Sequence, residues 1–367
     1  VVAFMFVAYG FLGFLANIAL AVHVAMIVAL LSLLGATLTL PGIAGIVLTI
    51  GQAVDSNVLF YERFREEVKQ GRSIVNAMES GFEKAFGTIV DANLTTFIAA
   101  VILFYMGSGP VRGFAVTLAI GIITTVFTAY TISRLMISYW LRRNRSKGMP
   151  KGIRTHFFDF ARINFMKIRN WSFGTTAALT LASIIGFATI GLNLGIDFTG
   201  GSMIELKAKQ GEADLGDIRN RIGDLGISGA QVQGFGDPTN VMVRVQSQAE
   251  ETAEQNVVSK IRGALEKDYE FRRVEVVGPA VSSELTYTAT LGVGVALLFI
   301  LVYIWFRFEW QFAVGAIIAT MHDVILTIGI FVLTGIEFNL TSIAAILTIV
   351  GYSLNDTVVV YDRMREN

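Results

Sequence analysis

Residues 38–67 read LTLPGIAGIVLTIGQAVDSNVLFYERFREE, and residues 338–367 read FNLTSIAAILTIVGYSLNDTVVVYDRMREN. The two segments align without a gap at an offset of 300 residues (338 minus 38). Leu40/Leu340, Ile43/Ile343, Ala44/Ala344, Gly51/Gly351, Tyr61/Tyr361, Arg63/Arg363, Arg65/Arg365 and Glu66/Glu366 are identical between them. Each copy is apolar enough to cross a membrane, and each carries an acid within its apolar stretch, Asp55 in the first and Asp356 in the second. A duplicated membrane helix with an ionisable residue in each copy is a transporter-like pattern.

The two acids are one position out of register: Asp55 aligns with Asn355, and Asp356 with Ser56. One residue turns a helix by roughly 100°, so both carboxyls are expected to be buried at a shared seam between the copies. Asn355, Asn57 and Thr357 are their expected hydrogen-bonding partners. A charged side chain at the bilayer centre costs about 2.5–3.5 kcal/mol on insertion scales, and low dielectric favours a neutral carboxyl. A group that alternates between the two forms can carry a proton, and one elementary charge crossing the membrane potential supplies about 2.3 kcal/mol per 100 mV. The competing reading is that the acids are neutral, hydrogen-bonded glue between helices. Two further acids lie in apolar runs. Asp323 matches His23 at the repeat offset, so both halves hold an ionisable group there, although His322–Asp323 also suits helix pairing. Asp91, in TIVDANLTT, is read as structural, with Asn93, Thr95 and Thr96 offering local bonds. Tyr61–Glu62–Arg63 and Tyr361–Asp362–Arg363 are expected to anchor helix ends at the interface, with Arg363 an alternative partner for a core acid.

Apolar residues make up 53% of the 367-residue chain and charged residues 16%, and mean hydropathy is +0.60; a soluble domain carries about 25% charged residues. There is no cysteine, which excludes disulfides and thiolate metal sites, and the three histidines (His23, His156, His322) are too scattered for a metal cluster. No P-loop pattern occurs, and neither a metal nor a cofactor is expected. The twenty-seven phenylalanines suit lipid-facing and packing surfaces.

Apolar runs place spans at 11–34, 38–60, 86–106, 112–133, 172–192, 285–306, 312–334 and 338–361, with residues 1–9 the end of another. The segment 134–171 holds ten Lys/Arg, including Arg142, Arg143, Arg145 and Lys147, against Asp159 alone, so the positive-inside rule makes it a cytoplasmic linker rather than a nucleic-acid site. The same count puts the loop at 61–85 inside. Residues 197–284 hold fifteen Asp/Glu against ten Lys/Arg and fall outside. Their periodicity gives strands at Ser202–Lys209, Gln231–Phe235, Val241–Val245 and Arg273–Val277, and helical faces at Leu215, Ile218, Ile222, Leu225 and at Val257, Ile261, Leu265. That βαββαβ order suggests a ferredoxin-like sandwich. Gly195–Gly201 (GIDFTGG) is a junction with no helix start behind it, which argues against a phosphate loop.

The expected fold is thus an α-helical polytopic membrane protein with a pseudo-two-fold repeat and a small external α+β domain. Its parts are a helical bundle at 1–133, the linker at 134–171, a span at 172–192, the external domain at 193–284, and further spans at 285–367. The apolar start at Val1 and the stop just after a repeat lead us to expect an internal fragment, cut at both ends.

LTLPGIAGIVLTIGQAVDSNVLFYERFREE followed by TIVDANLTT resembles the C-terminal membrane half of SecD, and NLGIDFTGG, the small external domain and TIVGYSLNDTVVVYDRMREN resemble SecF. The order of motifs is similar to that of a fused SecDF, and the resemblance covers nearly the whole chain. It implies membership of the SecD/SecF protein-export family, with an architecture like that of resistance–nodulation–division transporters. It further implies a bacterial inner-membrane accessory of the Sec translocon that uses the proton-motive force to complete export of unfolded preproteins. Its implied partners are the translocon channel with its associated subunits, the preprotein and membrane lipids, and no nucleic acid. The proton-coupling acids carried over are Asp55 and Asp356, with Asp323, Asp91, Asn355 and Arg363 as secondary candidates. The alternatives are a proton-driven exporter of small molecules or lipids on the same architecture, and a passive scaffold. An enzyme is disfavoured, because the external domain has no His or Cys and no nucleophile–base pair stands out.

Overall fold

A computed structural model describes residues 1–36, 38–107, 109–143, 165–227, 229–247 and 251–366. Most of the basic linker, including Arg145, Lys147, His156 and Asp159, lies outside the described residues. The chain divides into two compact units. One gathers Val1–Gly186, Gly292–Ile330 and Ala344–Asn367, and the other Phe187–Leu291 and Phe331–Ile343.

The first unit is helical. Its elements begin with α1 (Val2–Tyr9), α2 (Phe11–Leu33), α3 (Leu40–Lys69) and α4 (Ile74–Met106). Next come α5 (Gly109–Phe127), a π-helical turn at Thr128–Ile132, α6 (Ser133–Arg143) and α7 (Arg169–Thr189). Gly10, at φ 60, separates α1 from α2. Thr39 caps α3 by accepting from the Gly42 N–H at 3.2 Å, with Pro41 in the first turn. Because lipid is as apolar as leucine, membrane helices associate through close packing and small residues rather than by escaping water. Gly121 of α5 shows this: a Cβ there would lie 2.4 Å from the Thr49 side chain of α3. Tyr9, Phe60, Tyr61 and Phe64 fill the core around α1–α4.

The second unit holds a short helix α8 (Ile196–Thr199), then β1 (Gly201–Ala208), α9 (Leu215–Asp224), β2 (Gln231–Gly234), β3 (Asn240–Gln246), α10 (Glu251–Leu265) and β4 (Tyr269–Val277). The four strands form one antiparallel sheet in the order β2-β3-β1-β4. Alternate strand residues Ile204, Leu206, Val241, Val243 and Val245 are buried with Ile218, Ile222, Ile261 and Leu265 of the helices, as the period-2 and period-3.6 patterns require. The glycine-rich junction is followed by β1, as expected, and itself holds a helical turn, α8, that the sequence reading did not place. The sequence signal was masked because four residues are too few to show a period.

The chain continues through α11 (Pro279–Arg307), α12 (Trp310–Thr334) and α13 (Leu340–Glu366). Eight helices among the described residues are long and apolar enough to cross a membrane. Several run well beyond the apolar runs read from sequence: α3 continues to Lys69 and α4 starts at Ile74, since a helix continues past its apolar stretch where polar side chains pair. Glu67, for example, binds Lys84 at 2.7 Å and Arg72 at 2.8 Å.

Candidate functional site

The two copies of the repeat are α3 and α13, and they meet in the first unit. Tyr352 of α13 donates from its hydroxyl to Asp55 Oδ2 of α3 at 2.5 Å. Asp356 lies one turn further along α13, within electrostatic reach of Asp55. Ser353, on the adjacent face of α13, donates to Asp323 Oδ2 of α12, whose other oxygen lies 3.0 Å from His322 Nδ1. Gly351 lets α13 come close to α4, because a Cβ there would sit 3.1 Å from the Thr96 Cα. Asp55, Tyr352, Asp356, Ser353, Asp323 and His322 therefore make a polar track across three helices.

The seam between the copies is real, but its chemistry differs from the sequence reading. Asp55 and Asp356 are exposed in this chain, whereas Ser56, Asn57 and Asn355 are buried. The one-residue register shift explains this, since a 100° step sends neighbouring polar residues to opposite sides. Asn57 and Thr357 are not partners of the acids. Asn57 donates to the Ala53 carbonyl and accepts from Ser133 at 2.7 Å, and Thr357 donates to the Ser353 carbonyl. Ser133 follows directly on the π-helical turn, a feature often found at functional sites.

Asp91 is corrected as well. Asn93 and Thr95 bond carbonyls of their own helix, and the Asp91 carboxylate instead accepts from Arg307 Nε and, at 2.8 Å, from Tyr303 of α11. It thus joins the first half of the chain to the second. The interface-anchor reading also fails for Tyr61. Tyr61 is fully buried and donates to the Leu12 carbonyl, and the Tyr361 ring packs on Phe312 and Phe308. The charged residues beside them link the copies. Thr88 and Arg63 contact Asp362, the latter at 3.8 Å, and Arg363 pairs with Glu66 at 3.0 Å. His23, the repeat mate of Asp323, is buried against Thr124 at 3.1 Å. Sequence reasoning missed Tyr352, Ser353, Tyr303 and Arg307. Tyr352 and Ser353 stand four and three residues before Asp356, the spacing of same-face helix neighbours, and that spacing was a usable signal.

This geometry sits in a chain that matches one sequence family along most of its length. The description "Protein export membrane protein SecD/SecF, C-terminal" fits residues 1–143 and 257–367, and a SecD/SecF GG motif fits residues 185–212. The chain belongs to the SecD/SecF protein-export family. Among SecD/SecF relatives, SecDF of Brucella abortus biovar 1 (strain 9-941) is 50% identical over 99% of this chain and 48% of its own length. SecDF of Bacillus subtilis (strain 168) is 35% identical over 99% of this chain and 51% of its own. The crystal structure of SecDF from Thermus thermophilus, a translocon-associated membrane protein, superposes with a TM-score of 0.86 at 37% identity, covering all of this chain and 50% of that one. SecDF in a super-membrane-facing form gives 0.72 at 38% identity, covering all of this chain and 49% of that one. The chain thus spans about half the length of these relatives. Its eight apolar helices and its family make it a multi-pass membrane protein.

Proposed function

We propose that this chain is the membrane-embedded part of an accessory to the Sec translocon that couples the proton-motive force to late steps of preprotein export. The contact between the duplicated acidic helices, Tyr352 to Asp55, carries the reading. A carboxylate that gains and loses a proton at a contact between two halves changes the energy of that contact, and so biases the packing of the halves. Asp55 and Asp356 are the proton-coupling residues in this account. Asp323 sits beside them through Ser353, and Asp91 serves as an ionic tie.

The linker at 134–171 lies in the cytoplasm and the domain at 193–284 in the periplasm, following the positive-inside rule. Within the second unit, Asp197 of the glycine-rich junction accepts from the Leu340 N–H at 2.9 Å, at the start of α13. Backbone bonds between Gly195 and Phe338 and between Phe338 and Asn193, both 2.8 Å, pin the same two loops together. The helix that bears Asp356 therefore begins in a loop tied to the external domain, which lets a shift of α13 reach that domain. The preprotein and the translocon channel are the partners.

The test is export of a stalled preprotein in vesicles containing the full-length protein, with and without a proton gradient. Asp55→Asn and Asp356→Asn are expected to abolish the gradient-dependent part while leaving the protein in the membrane. A normal gradient response in both variants contradicts the proposal.

A further inference from the structure

Tyr352 carries no ionisable proton for the coupling, yet its hydroxyl joins the second copy of the repeat to an acid of the first. Its hydroxyl crosses from α13 to Asp55 of α3, 297 residues away in sequence. Its matching position in the first copy is Gln52, which points to Thr96 of α4 at 3.4 Å instead. The tie is therefore one-sided within a pseudo-symmetric pair. Tyr352 is also four residues before Asp356, so ring and carboxyl share one helix face. The neighbouring close approach of Gly351 to Thr96 holds this turn of α13 against α4.

We propose that Tyr352 is a protonation-sensitive latch: its hydroxyl holds α13 to the charged form of Asp55 and loosens when Asp55 takes up a proton. This rests on the proton-coupling reading above and adds the residue through which one half senses the other. A phenol keeps its proton far above neutral pH, so it remains a donor throughout. The acceptor is what changes. Hydrogen bonds to an ionised group are roughly twice as strong as neutral ones, so protonating Asp55 weakens the tie without breaking any covalent bond. The ionisable groups around the hydroxyl are Asp55 from α3, Asp356 on its own helix, and, by way of Ser353, Asp323 and His322 of α12. Tyr352 is thus a positioning residue that acts through Asp55.

The test uses full-length protein in liposomes. Proton uptake is followed with an entrapped pH dye, and the Asp55 carboxyl band is followed by infrared spectroscopy, assigned by its loss in Asp55→Asn. Tyr352→Phe keeps the ring and removes the hydroxyl. It is expected to lower gradient-driven flux by about tenfold to a hundredfold, the range of a hydrogen bond to a charged group. It is also expected to shift the Asp55 band, which loss of packing elsewhere does not move. The double variant Asp55→Asn/Tyr352→Phe is expected to be no worse than Asp55→Asn alone. Unchanged flux and an unmoved band in Tyr352→Phe, with Asp55→Asn inactive, overturn the latch and leave the proton reading standing. Wild-type flux in Asp55→Asn removes the proton reading and the latch with it.

Discussion

Replacing Arg307 with alanine strips the guanidinium from Asp91, and the consequence is calculable from the local geometry. The Asp91 side chain is 12% exposed and that of Arg307 is 31% exposed. Removing one partner of a buried pair costs about 3–5 kcal/mol, because the other charge is left uncompensated. The guanidinium is partly exposed, so the lower end, about 3 kcal/mol, is the expected destabilisation. Tyr303 still donates to Asp91 at 2.8 Å, which limits the damage but does not neutralise the charge. Asp91→Asn added to Arg307→Ala removes that charge and keeps an acceptor for Tyr303. The double variant should therefore recover about half of the loss, as a neutral hydrogen bond contributes about 1 kcal/mol. Recovery stays incomplete because the Arg307 guanidinium also lies 5.4 Å from the Phe308 ring centroid.

The assay is denaturant unfolding of the full-length protein in lipid nanodiscs for the wild type, both single variants and the double. A coupling energy above about 1.5 kcal/mol between positions 91 and 307 is expected, well beyond the roughly 0.5 kcal/mol scatter of independent sites. Additive effects, or an Arg307→Ala variant as stable as wild type, refute the claim that this ion pair ties the two halves together.

Two further predictions concern the external domain. Gly201 has φ 117, and a Cβ there would lie 2.2 Å from the Val245 carbonyl oxygen of β3; Gly201→Ala is expected to cost at least about 2 kcal/mol and to make the domain the first site of limited proteolysis. Tyr269, at the start of β4, has its phenol pushed above the ordinary value of 10.0, chiefly by burial. A raised folded value means its contribution is complete below pH 10 and is lost as pH rises through the folded value. Tyr269→Phe should flatten the alkaline limb of a stability–pH profile, and an unchanged limb would contradict this.

The architecture was legible because it rests on periodicities. Spans of apolar residues, the alternation of Ile204, Leu206, Val241 and Val243, and the helical spacing of Ile218 and Ile222 each report a buried face directly. The acids stood out as candidates for a different reason: a carboxyl in an apolar run is costly, and each copy of the repeat carries one, a single position out of register with the other. What stayed hidden was partner choice. Arg307 stands at the end of a span, where arginine is common, and nothing local says that it reaches an aspartate 216 residues earlier. Asn57 and Thr357 looked like partners because they are close in sequence. Helix rotation turns them toward Ala53, Ser133 and Ser353 instead. Tyr61 looked like an interfacial anchor by composition, but the core around α1–α4 buries its ring.

The central claim is that Asp55 and Asp356 carry protons that drive this machine, and proton flux tests it most directly. Full-length protein in liposomes, given an imposed pH gradient and a voltage, should admit protons that an entrapped dye records. Asp55→Asn and Asp356→Asn should each reduce that flux to the level of protein-free liposomes. Wild-type flux in both variants would contradict the account.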